Sequence, residues 1–269
     1  METQIKISHE VPLTLLNKSL TFNDYQYVLP HLIDKFELYK EHILNYRKNI
    51  DSFIICDNGL FEGVEHTQDD LIEKINLIKP DIFVVPDEWN NMTVTLRNAK
   101  YWMNVIKEQL SKETELMVVM QGYSLGDFMN LYNQCISLGY THFAFNHSSQ
   151  YYQNDGYHPN PLMNQMMNRV YVISRMYKEG IIRDSHYVHL LGCSLPQEMI
   201  YYKNNVFPFI KSVDTSNPVT VGALGLKYED YGLIIKPKNK IEEFMKQEFS
   251  KSQLENIQHN IKQFKSFTK

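Results

Sequence analysis

Four polar residues stand where a short apolar run of the sequence gives way to turn-forming residues. They are Asp57, Asp87, Gln121 and Asp214. Two carboxylates in one pocket suit chemistry at an acetal-like carbon such as C1′ of a nucleoside. One carboxylate can attack that carbon and form a covalent glycosyl intermediate, while the other moves a proton. A further acid and an amide can hold the Watson–Crick edge of a purine, which offers N–H donors and a carbonyl acceptor.

A simpler interpretation exists for each of these residues alone, since a single aspartate after a strand is most often a turn or cap residue. The recurrence of the same arrangement in four segments favours function, because the carboxyl ends of parallel barrel strands meet at one mouth. The segment 210–218 shows the arrangement most clearly, passing from Ile-Lys-Ser-Val into Asp-Thr-Ser-Asn-Pro.

Apolar runs alternate with amphipathic stretches along most of the chain, which predicts strands alternating with helices. The predicted strands, eight in number, cover residues 4–11, 25–33, 52–57, 81–86, 115–121, 141–146, 187–193 and 210–214. The predicted helices cover residues 34–48, 67–79, 92–112, 124–138 and 162–179, with another starting near Pro196. The polar and aromatic stretch 148–161 predicts one long loop. This alternation implies a parallel sheet, and eight strands imply an α/β fold with a single (β/α)8 TIM barrel.

An open doubly wound sheet is the alternative fold, and it is disfavoured because no glycine-rich phosphate loop follows the first strand. The length of 269 residues suits one large domain. We therefore expect a barrel over residues 1–235 and an amphipathic helical tail over residues 236–269. The tail reads as one helix or as a helical pair broken near Ser250, packed on or beside the barrel.

The composition restricts the class of protein. A net charge of −4 argues against a broad basic surface, so any contact with nucleic acid must be local. Three widely spaced cysteines without a CxxC pair indicate a reducing compartment and no zinc site. The first residues do not resemble a signal peptide, and no apolar run approaches the roughly 18 residues that span a bilayer. We expect a cytoplasmic protein that uses no metal and no cofactor.

Five segments resemble the tRNA-guanine transglycosylase superfamily, TIM-barrel enzymes that exchange guanine for a 7-deazaguanine in nucleic acid. The segment Asp57-Asn58-Gly59-Leu60-Phe61-Glu62 is similar to the family's Asp-Ser-Gly-Gly-Phe-Gln turn, whose Asp transfers protons. Pro86-Asp87-Glu88 and Val119-Met120-Gln121-Gly122 resemble its base-binding Phe-Asp-Glu-Cys and Val-Gln-Gly segments. Residues 190–198 resemble Leu-Met-Gly-Val-Gly-x-Pro-Glu-Asp, and Asp214 with Pro218 resembles the nucleophile segment Asp-Cys-Val-x-Pro-Thr-Arg.

The resemblance implies a role for each matched residue. It makes Asp57 and Asp214 the catalytic pair, with Asp214 attacking C1′. It places the base against Asp87 and Gln121, and we expect Gly122, Asn58 and Phe61 beside them. Phe61 can stack on a base, although an aromatic residue at a strand end is more often part of the core. No metal and no cofactor takes part in the implied reaction.

The departures from the family pattern imply a particular branch. The family's zinc site is missing, Val219-Thr220 stands in place of Thr-Arg, and residues 143–146 occupy the region of a base-binding glycine pair. These features resemble the phage-type DNA 7-deazaguanine transglycosylases, the DpdA group. The implied function is replacement of guanine in DNA with a preQ0-type base, in the host cytoplasm if a phage encodes the chain.

Three alternatives remain beside this interpretation. The same exchange could act on tRNA. A second alternative is a non-catalytic subunit that binds a base or nucleic acid, although binding alone does not require both Asp57 and Asp214. A third is an unrelated barrel lyase or aldolase, which would need a Schiff-base lysine or a metal cluster at the strand ends. The protein could also form a homodimer.

Several other residues are candidates for contact with nucleic acid. Tyr151 and Tyr152 in the predicted loop can stack on flipped or single-stranded nucleotides, with a mobile surface loop as the competing interpretation. Lys203 and Lys211 are candidates for phosphate contact near the barrel mouth, although solvated charge is the simpler explanation. We interpret His189 as structural, because a lone histidine in a strand usually is.

Overall fold

The computed structural model describes residues 5–153, 156–203, 206–232 and 235–269, and it shows an α/β protein. Within these ranges the sheet has eight parallel strands: β1 (Lys6–Ser8), β2 (Gln26–Val28), β3 (Ile54–Cys56), β4 (Ile82–Val84), β5 (Glu115–Val119), β6 (His142–Asn146), β7 (Tyr187–Leu191) and β8 (Ile210–Asp214). Their order in the sheet is β1-β8-β7-β6-β5-β4-β3-β2. This is the arrangement of a nearly closed (β/α)8 TIM barrel, so the predicted fold class is confirmed.

Helices fill most of the intervals between the strands, as the alternation in the sequence predicts. In the described ranges the α-helices are α1 (Leu16–Ser19), α2 (Pro30–Lys35), α3 (Glu37–Arg47), α4 (Gln68–Ile78), α5 (Met92–Tyr101), α6 (Leu125–Ser137), α7 (Pro161–Lys178), α8 (Asn217–Ala223) and α9 (Lys251–Ser266). Of the two alternatives for the tail, the structure shows the one with a break near Ser250, because a short 3-10 helix (Ile241–Phe244) precedes α9 and Ser250 caps it.

Side-chain caps explain where several helices begin. The side chains of Thr67, Ser124, Asn160 and Ser250 each accept a hydrogen bond from a backbone N–H of the first turn of α4, α6, α7 and α9, respectively. Such bonds satisfy donors that have no partner within the helix. The predicted helix start at Thr67 is therefore confirmed.

The strands are short and their residues are almost all buried, as expected for parallel strands covered on both faces. Register places Ser8 opposite Asp214 and His189 opposite Ser212. Because side chains alternate along a strand, Ser212 and Asp214 project from the same face of β8.

Several predicted elements differ from the structure, including the helix predicted over residues 34–48, which is interrupted by the extended Phe36. The strand predicted over residues 25–33 ends at Val28, since Pro30 is pre-organised for the first helical position and starts α2. The helix predicted over residues 92–112 leaves α geometry at Trp102 and continues as a π-helical and then a 3-10 segment. The helix starting at Pro196 is a 3-10 helix (Pro196–Tyr202). The predicted loop 148–161 contains a 3-10 helix (Gln150–Gln153), and its residues 154 and 155 lie outside the described residues.

The chain divides into two compact units. The central unit comprises Tyr25–Ala144, and the terminal unit comprises the described residues up to Asp24 together with those from Phe145 onward. In the terminal unit α9 packs on α8, where a Cβ on Gly222 would lie 2.5 Å from the backbone nitrogen of Ile257. None of the helices in the described ranges combines the length and apolar character needed to cross a membrane.

Candidate active site

The central unit gathers three of the predicted base-binding residues into one hydrogen-bonded cluster. Asp87 follows β4, Gln121 follows β5, and Asn58 follows β3. Gln121 Nε2 donates to Asp87 Oδ2 at 2.6 Å, and Asn58 Nδ2 donates to Asp87 Oδ1 at 2.8 Å. Three residues distant in the sequence thus meet at the carboxyl ends of neighbouring strands, as the repeated strand-end pattern predicts.

The cluster is fixed to the backbone at its outer ends. Asn58 Nδ2 also donates to Val85 O at 3.1 Å, and Asn58 Oδ1 accepts from Leu60 N at 2.9 Å. Gln121 Oε1 accepts from Asn90 N at 2.9 Å. Each Asp87 oxygen accepts one of these two side-chain hydrogen bonds, and the Asp87 backbone N–H adds a further hydrogen bond to the carboxyl group. A carboxylate offers about four lone-pair sites, so the group can still accept from a ligand.

The Asp87 carboxyl group is the electrostatic centre of this cluster. Burial raises the pKa of Asp87 to about 6, against the opposing hydrogen bonds from Gln121 and Asn58. The negative charge of Asp57 also raises that pKa. A carboxyl group with such a pKa changes its protonation near neutral pH, which is a common property of functional acids.

Asp57 lies in the same unit, buried directly after β3. Its backbone N–H donates to Val28 O at 2.8 Å, which continues the β2–β3 pairing up to the carboxylate. The neighbouring Cys56 thiol is fully buried, and burial together with the Asp57 charge raises its pKa. Cys56 is thus an inert core residue, whereas the proton-transfer role of Asp57 stays a prediction.

Two other predicted base-binding residues have different surroundings. A Cβ on Gly122 would lie 2.5 Å from Asp127 Cβ, so packing against the start of α6 already accounts for the glycine. Phe61 is 48% exposed, and its ring centroid lies 6.3 Å from that of Trp89. An exposed ring beside a second aromatic residue is compatible with stacking on a base.

The terminal unit holds the predicted nucleophile, Asp214, at the end of β8. Its Oδ1 atom accepts two hydrogen bonds, one of 2.8 Å from the Gly192 backbone N–H and one of 3.0 Å from His189 Nε2. The imidazole nitrogen must donate in this pair, because a carboxylate only accepts. In the described part of the chain Oδ2 has no hydrogen-bond partner. The carboxylate is therefore held by one oxygen, and the other is available.

A chain of polar groups supports His189 from behind. Its Nδ1 atom lies 2.8 Å from Ser212 Oγ, which in turn accepts a 2.8 Å hydrogen bond from the Tyr187 hydroxyl. Sequence reasoning missed His189, although β-strand alternation places His189 and Ser212 opposite each other in the register. Because this register is visible only in the structure, the sequence carries no direct signal for the contact between His189 and Asp214.

A buried ion pair fixes the turn that carries Gly192. Arg169 Nε and Nη2 each donate to Glu198 at 2.7 Å, and both side chains are almost fully buried. Arg169 Nη1 donates to the carbonyl oxygens of Phe145 at 3.0 Å and Gly192 at 2.9 Å. One guanidinium thus joins the ends of β6 and β7, since its planar fork presents several donors in fixed directions.

The structure also gives the positions of the four residues predicted to contact nucleic acid. The prediction for Tyr152 is wrong: the side chain is fully buried, and its backbone carbonyl accepts from Asn168 Nδ2 at 2.8 Å. The prediction that Lys211 lies at the barrel mouth is also wrong. It is the second residue of β8, about 10 Å of strand before Asp214, and its Nζ donates to Pro208 O at 2.5 Å. Tyr151 and Lys203 are half-buried, and their roles stay predictions.

The central unit also contains an open cavity of about 360 Å³ beside Pro86. Its lining consists of His66, Gln68, Leu71, Pro86, Arg97, Asn98, Tyr101 and Trp102. None of these is a predicted site residue. Within the described ranges, no three His, Cys, Asp or Glu side chains lie close enough together to hold a metal ion.

No family model matches this chain, and no curated protein matches it.

Proposed function

We propose that the protein is a base-exchange transglycosylase, a pentosyltransferase that replaces guanine in DNA with a preQ0-type 7-deazaguanine. The observation that carries this proposal is the uneven environment of the Asp214 carboxylate. Oδ1 is held by Gly192 N and His189 Nε2, and Oδ2 has no hydrogen-bond partner among the described residues. A nucleophile needs this combination of fixed orientation and an available lone pair.

The proposed reaction has two displacements at C1′. The target nucleotide leaves the base stack, at a cost of a few kcal/mol. Asp214 Oδ2 then forms a bond to C1′, the C1′–N9 bond breaks, and its electron pair goes to the departing guanine, which gains a proton from Asp57. The incoming 7-deazaguanine gives its N9 proton to Asp57 and attacks C1′, and Asp214 leaves as a carboxylate.

The Asp87–Gln121 pair is the proposed reader of the base. An aspartate oxygen accepts from purine N–H groups, and the Gln121 amide can donate to the purine carbonyl. Fixed partners on both side chains limit their rotation, which lowers the entropy lost when a base binds. Discrimination against bases without these groups follows, because such bases leave buried polar groups unpaired.

DNA is the proposed polymer on the basis of the resemblance to the phage-type branch. In this proposal the protein acts in the cytoplasm and uses neither metal nor cofactor. The competing polymer, tRNA, offers the same C1′ chemistry, so the two must be compared directly.

The test measures exchange of labelled guanine into duplex DNA by the full chain and by Asp214→Asn. We expect the substitution to lower the exchange rate by on the order of 10³-fold or more, as removal of a nucleophile does. Asp230→Asn is the matched control, because Asp230 is exposed and lies in the same unit. It should exchange at the rate of the unchanged chain.

Two further measurements complete the test. A covalent complex of protein and DNA should appear on a denaturing gel with the unchanged chain and not with Asp214→Asn. A parallel reaction with tRNA identifies the polymer. Exchange that Asp214→Asn leaves undiminished would remove this residue from the nucleophile's role, and failure of the unchanged chain on both polymers would refute the proposed function.

A further inference from the structure

Lys236 is a half-buried cation in the terminal unit, and no carboxylate forms an ion pair with it in the described part of the chain. Its one hydrogen-bond partner there is His147, whose Nε2 lies 3.4 Å from Lys236 Nζ. A desolvated ammonium group without a carboxylate is costly, and lysines are rarely buried unless paired. This arrangement indicates an anion that comes from outside the chain.

The surroundings of Lys236 place that anion near the nucleophile. Lys236 interacts electrostatically with Asp214, Glu10 and Arg169. Arg169 is neutralised by its ion pair with Glu198, so it does not supply a cation to a ligand. Burial lowers the pKa of Lys236, while the charges of Glu10 and Asp214 raise it.

The hydrogen bond to His147 uses only one of the three donors of the Lys236 ammonium group. Burial, and then the charges of Lys236 and Arg169, hold the pKa of His147 well below its ordinary value, so the imidazole is neutral. A neutral ring can accept one Lys236 hydrogen at Nε2. An ammonium group has three donors, and the other two remain for a ligand.

The His147 ring is fixed in turn by the loop that holds Asp214. A Cβ on Gly192 would run into the His147 imidazole, so the ring packs directly on the glycine whose N–H binds Asp214 Oδ1. The position of the Lys236 ammonium and the orientation of the carboxylate therefore depend on the same turn.

We propose that Lys236 binds the phosphodiester next to the nucleotide whose C1′ Asp214 attacks. The inference rests on the proposed function. A protein with net charge −4 needs a local cation to hold a polyanion, and contacts to phosphate set the register of a strand without reading its sequence. The electrostatic interaction of Lys236 with Asp214 also offsets the repulsion between that carboxylate and the incoming phosphate.

The test compares Lys236→Met with Lys238→Met. Methionine keeps the apolar stem and removes the charge, and Lys238 is an exposed lysine two residues away. DNA binding is measured as a function of salt concentration, and exchange is measured as a function of DNA concentration. Lys236→Arg serves as the conservative variant.

We expect Lys236→Met to reduce the slope of log K against log salt by about one, the value for one lost phosphate contact. The KM for DNA should rise about tenfold with kcat unchanged, as for one lost charge-assisted hydrogen bond. Lys236→Arg should restore most of the affinity, and Lys238→Met should behave as the unchanged chain.

Two results would overturn the inference. One is an equal salt slope and KM for DNA in Lys236→Met and Lys238→Met. The other is a rise in KM confined to the incoming base, because that would place the anion on the base. Exchange by the unchanged chain together with either result rejects the role of Lys236 and leaves the transglycosylase proposal in place. Absence of exchange in the unchanged chain rejects the transglycosylase proposal, and the inference about Lys236 is rejected with it.

Discussion

His189 holds Asp214 through a 3.0 Å hydrogen bond between Nε2 and Oδ1, and neither side chain is more than 6% exposed. Because His189 Nδ1 is itself bonded to Ser212, the imidazole cannot turn away without losing a second contact. This hydrogen bond therefore restrains rotation of the Asp214 carboxylate about its Cβ–Cγ bond. In the proposed reaction His189 is a positioning residue, since it acts on the substrate only through Asp214.

Replacing His189 should slow the chemical step without weakening DNA binding. His189→Phe keeps a ring of similar size and removes one of the two donors to Oδ1, so we expect kcat for exchange to fall about 10- to 100-fold at unchanged KM. His189→Gln keeps an amide donor and should retain more activity than His189→Phe. His259→Gln, at an exposed histidine of α9, is the control. Equal losses in the Phe and Gln variants would show that His189 only fills space.

The pH dependence of stability should carry a contribution from Asp87. Burial raises its pKa to about 6 in the folded chain, so the folded state binds this proton more tightly than the unfolded state. The stabilising contribution is then fully present below the ordinary carboxyl pKa of about 4, and it is lost as the pH rises through about 6. The loss should be about 3 kcal/mol, at roughly 1.4 kcal/mol per pKa unit.

Urea denaturation of the unchanged chain and of Asp87→Asn between pH 4 and pH 7 measures this contribution. The variant cannot ionise at this position, so its free energy of unfolding should fall less over that range. Asp69→Asn, at an exposed aspartate in the first turn of α4, should follow the unchanged chain. Parallel curves for Asp87→Asn and the unchanged chain would mean that Asp87 titrates normally.

The fold was predictable because it depends on local patterns that repeat. Apolar runs of strand length alternate with amphipathic stretches, and residues such as Thr67 and Ser250 mark helix starts by their capping chemistry. The errors occurred where tertiary packing decides the outcome. Pro30 suits both a strand end and a helix start, and Tyr152 in a polar segment is buried by residues distant in the sequence.

The candidate site was predictable only in part, because strand ends identify single residues and not their partners. The bonds from Asn58 and Gln121 to Asp87 follow from the end positions of neighbouring strands. The contact from His189 to Asp214 depends on the strand register, which the sequence alone does not reveal. The contact between Lys236 and His147 joins residues that are distant in the sequence, and no local pattern encodes it.

Gly192 should tolerate a side chain much less well than Gly180. Both have positive φ, 69° and 71° respectively, so alanine brings the same backbone strain of about 1–2 kcal/mol at each. A Cβ at position 180 meets nothing within 4 Å, whereas one at position 192 runs into the half-buried His147 ring. We expect Gly192→Ala to destabilise the chain by about 1–3 kcal/mol more than Gly180→Ala.

The same pair of variants separates stability from activity. Displacing the Gly192 N–H removes one of the two donors to Asp214 Oδ1, so Gly192→Ala should lose exchange activity even at temperatures where it is fully folded. Gly180→Ala should keep it. Thermal denaturation and labelled-guanine exchange on both proteins provide the measurements, and equal activities would argue against a role for the Gly192 N–H.

Replacing the buried Arg169 should destabilise the fold much more than replacing Arg175, an exposed arginine on the same helix α7 that serves as the control. Arg169 is buried with Glu198 and also donates to Gly192 O, so Arg169→Met leaves a buried carboxylate without its cation, although the Tyr202 hydroxyl still donates to it. We expect a loss of about 3–5 kcal/mol in the free energy of unfolding.

Arg175 pairs with Glu179 at 2.7 Å, but both side chains are more than 40% exposed, so Arg175→Met should cost under about 1 kcal/mol. Arg169→Lys should recover little, because a single ammonium cannot replace the planar fork. Urea denaturation measures all three, and a loss for Arg169→Met as small as that for Arg175→Met would show that the pair does not fix the turn carrying Gly192.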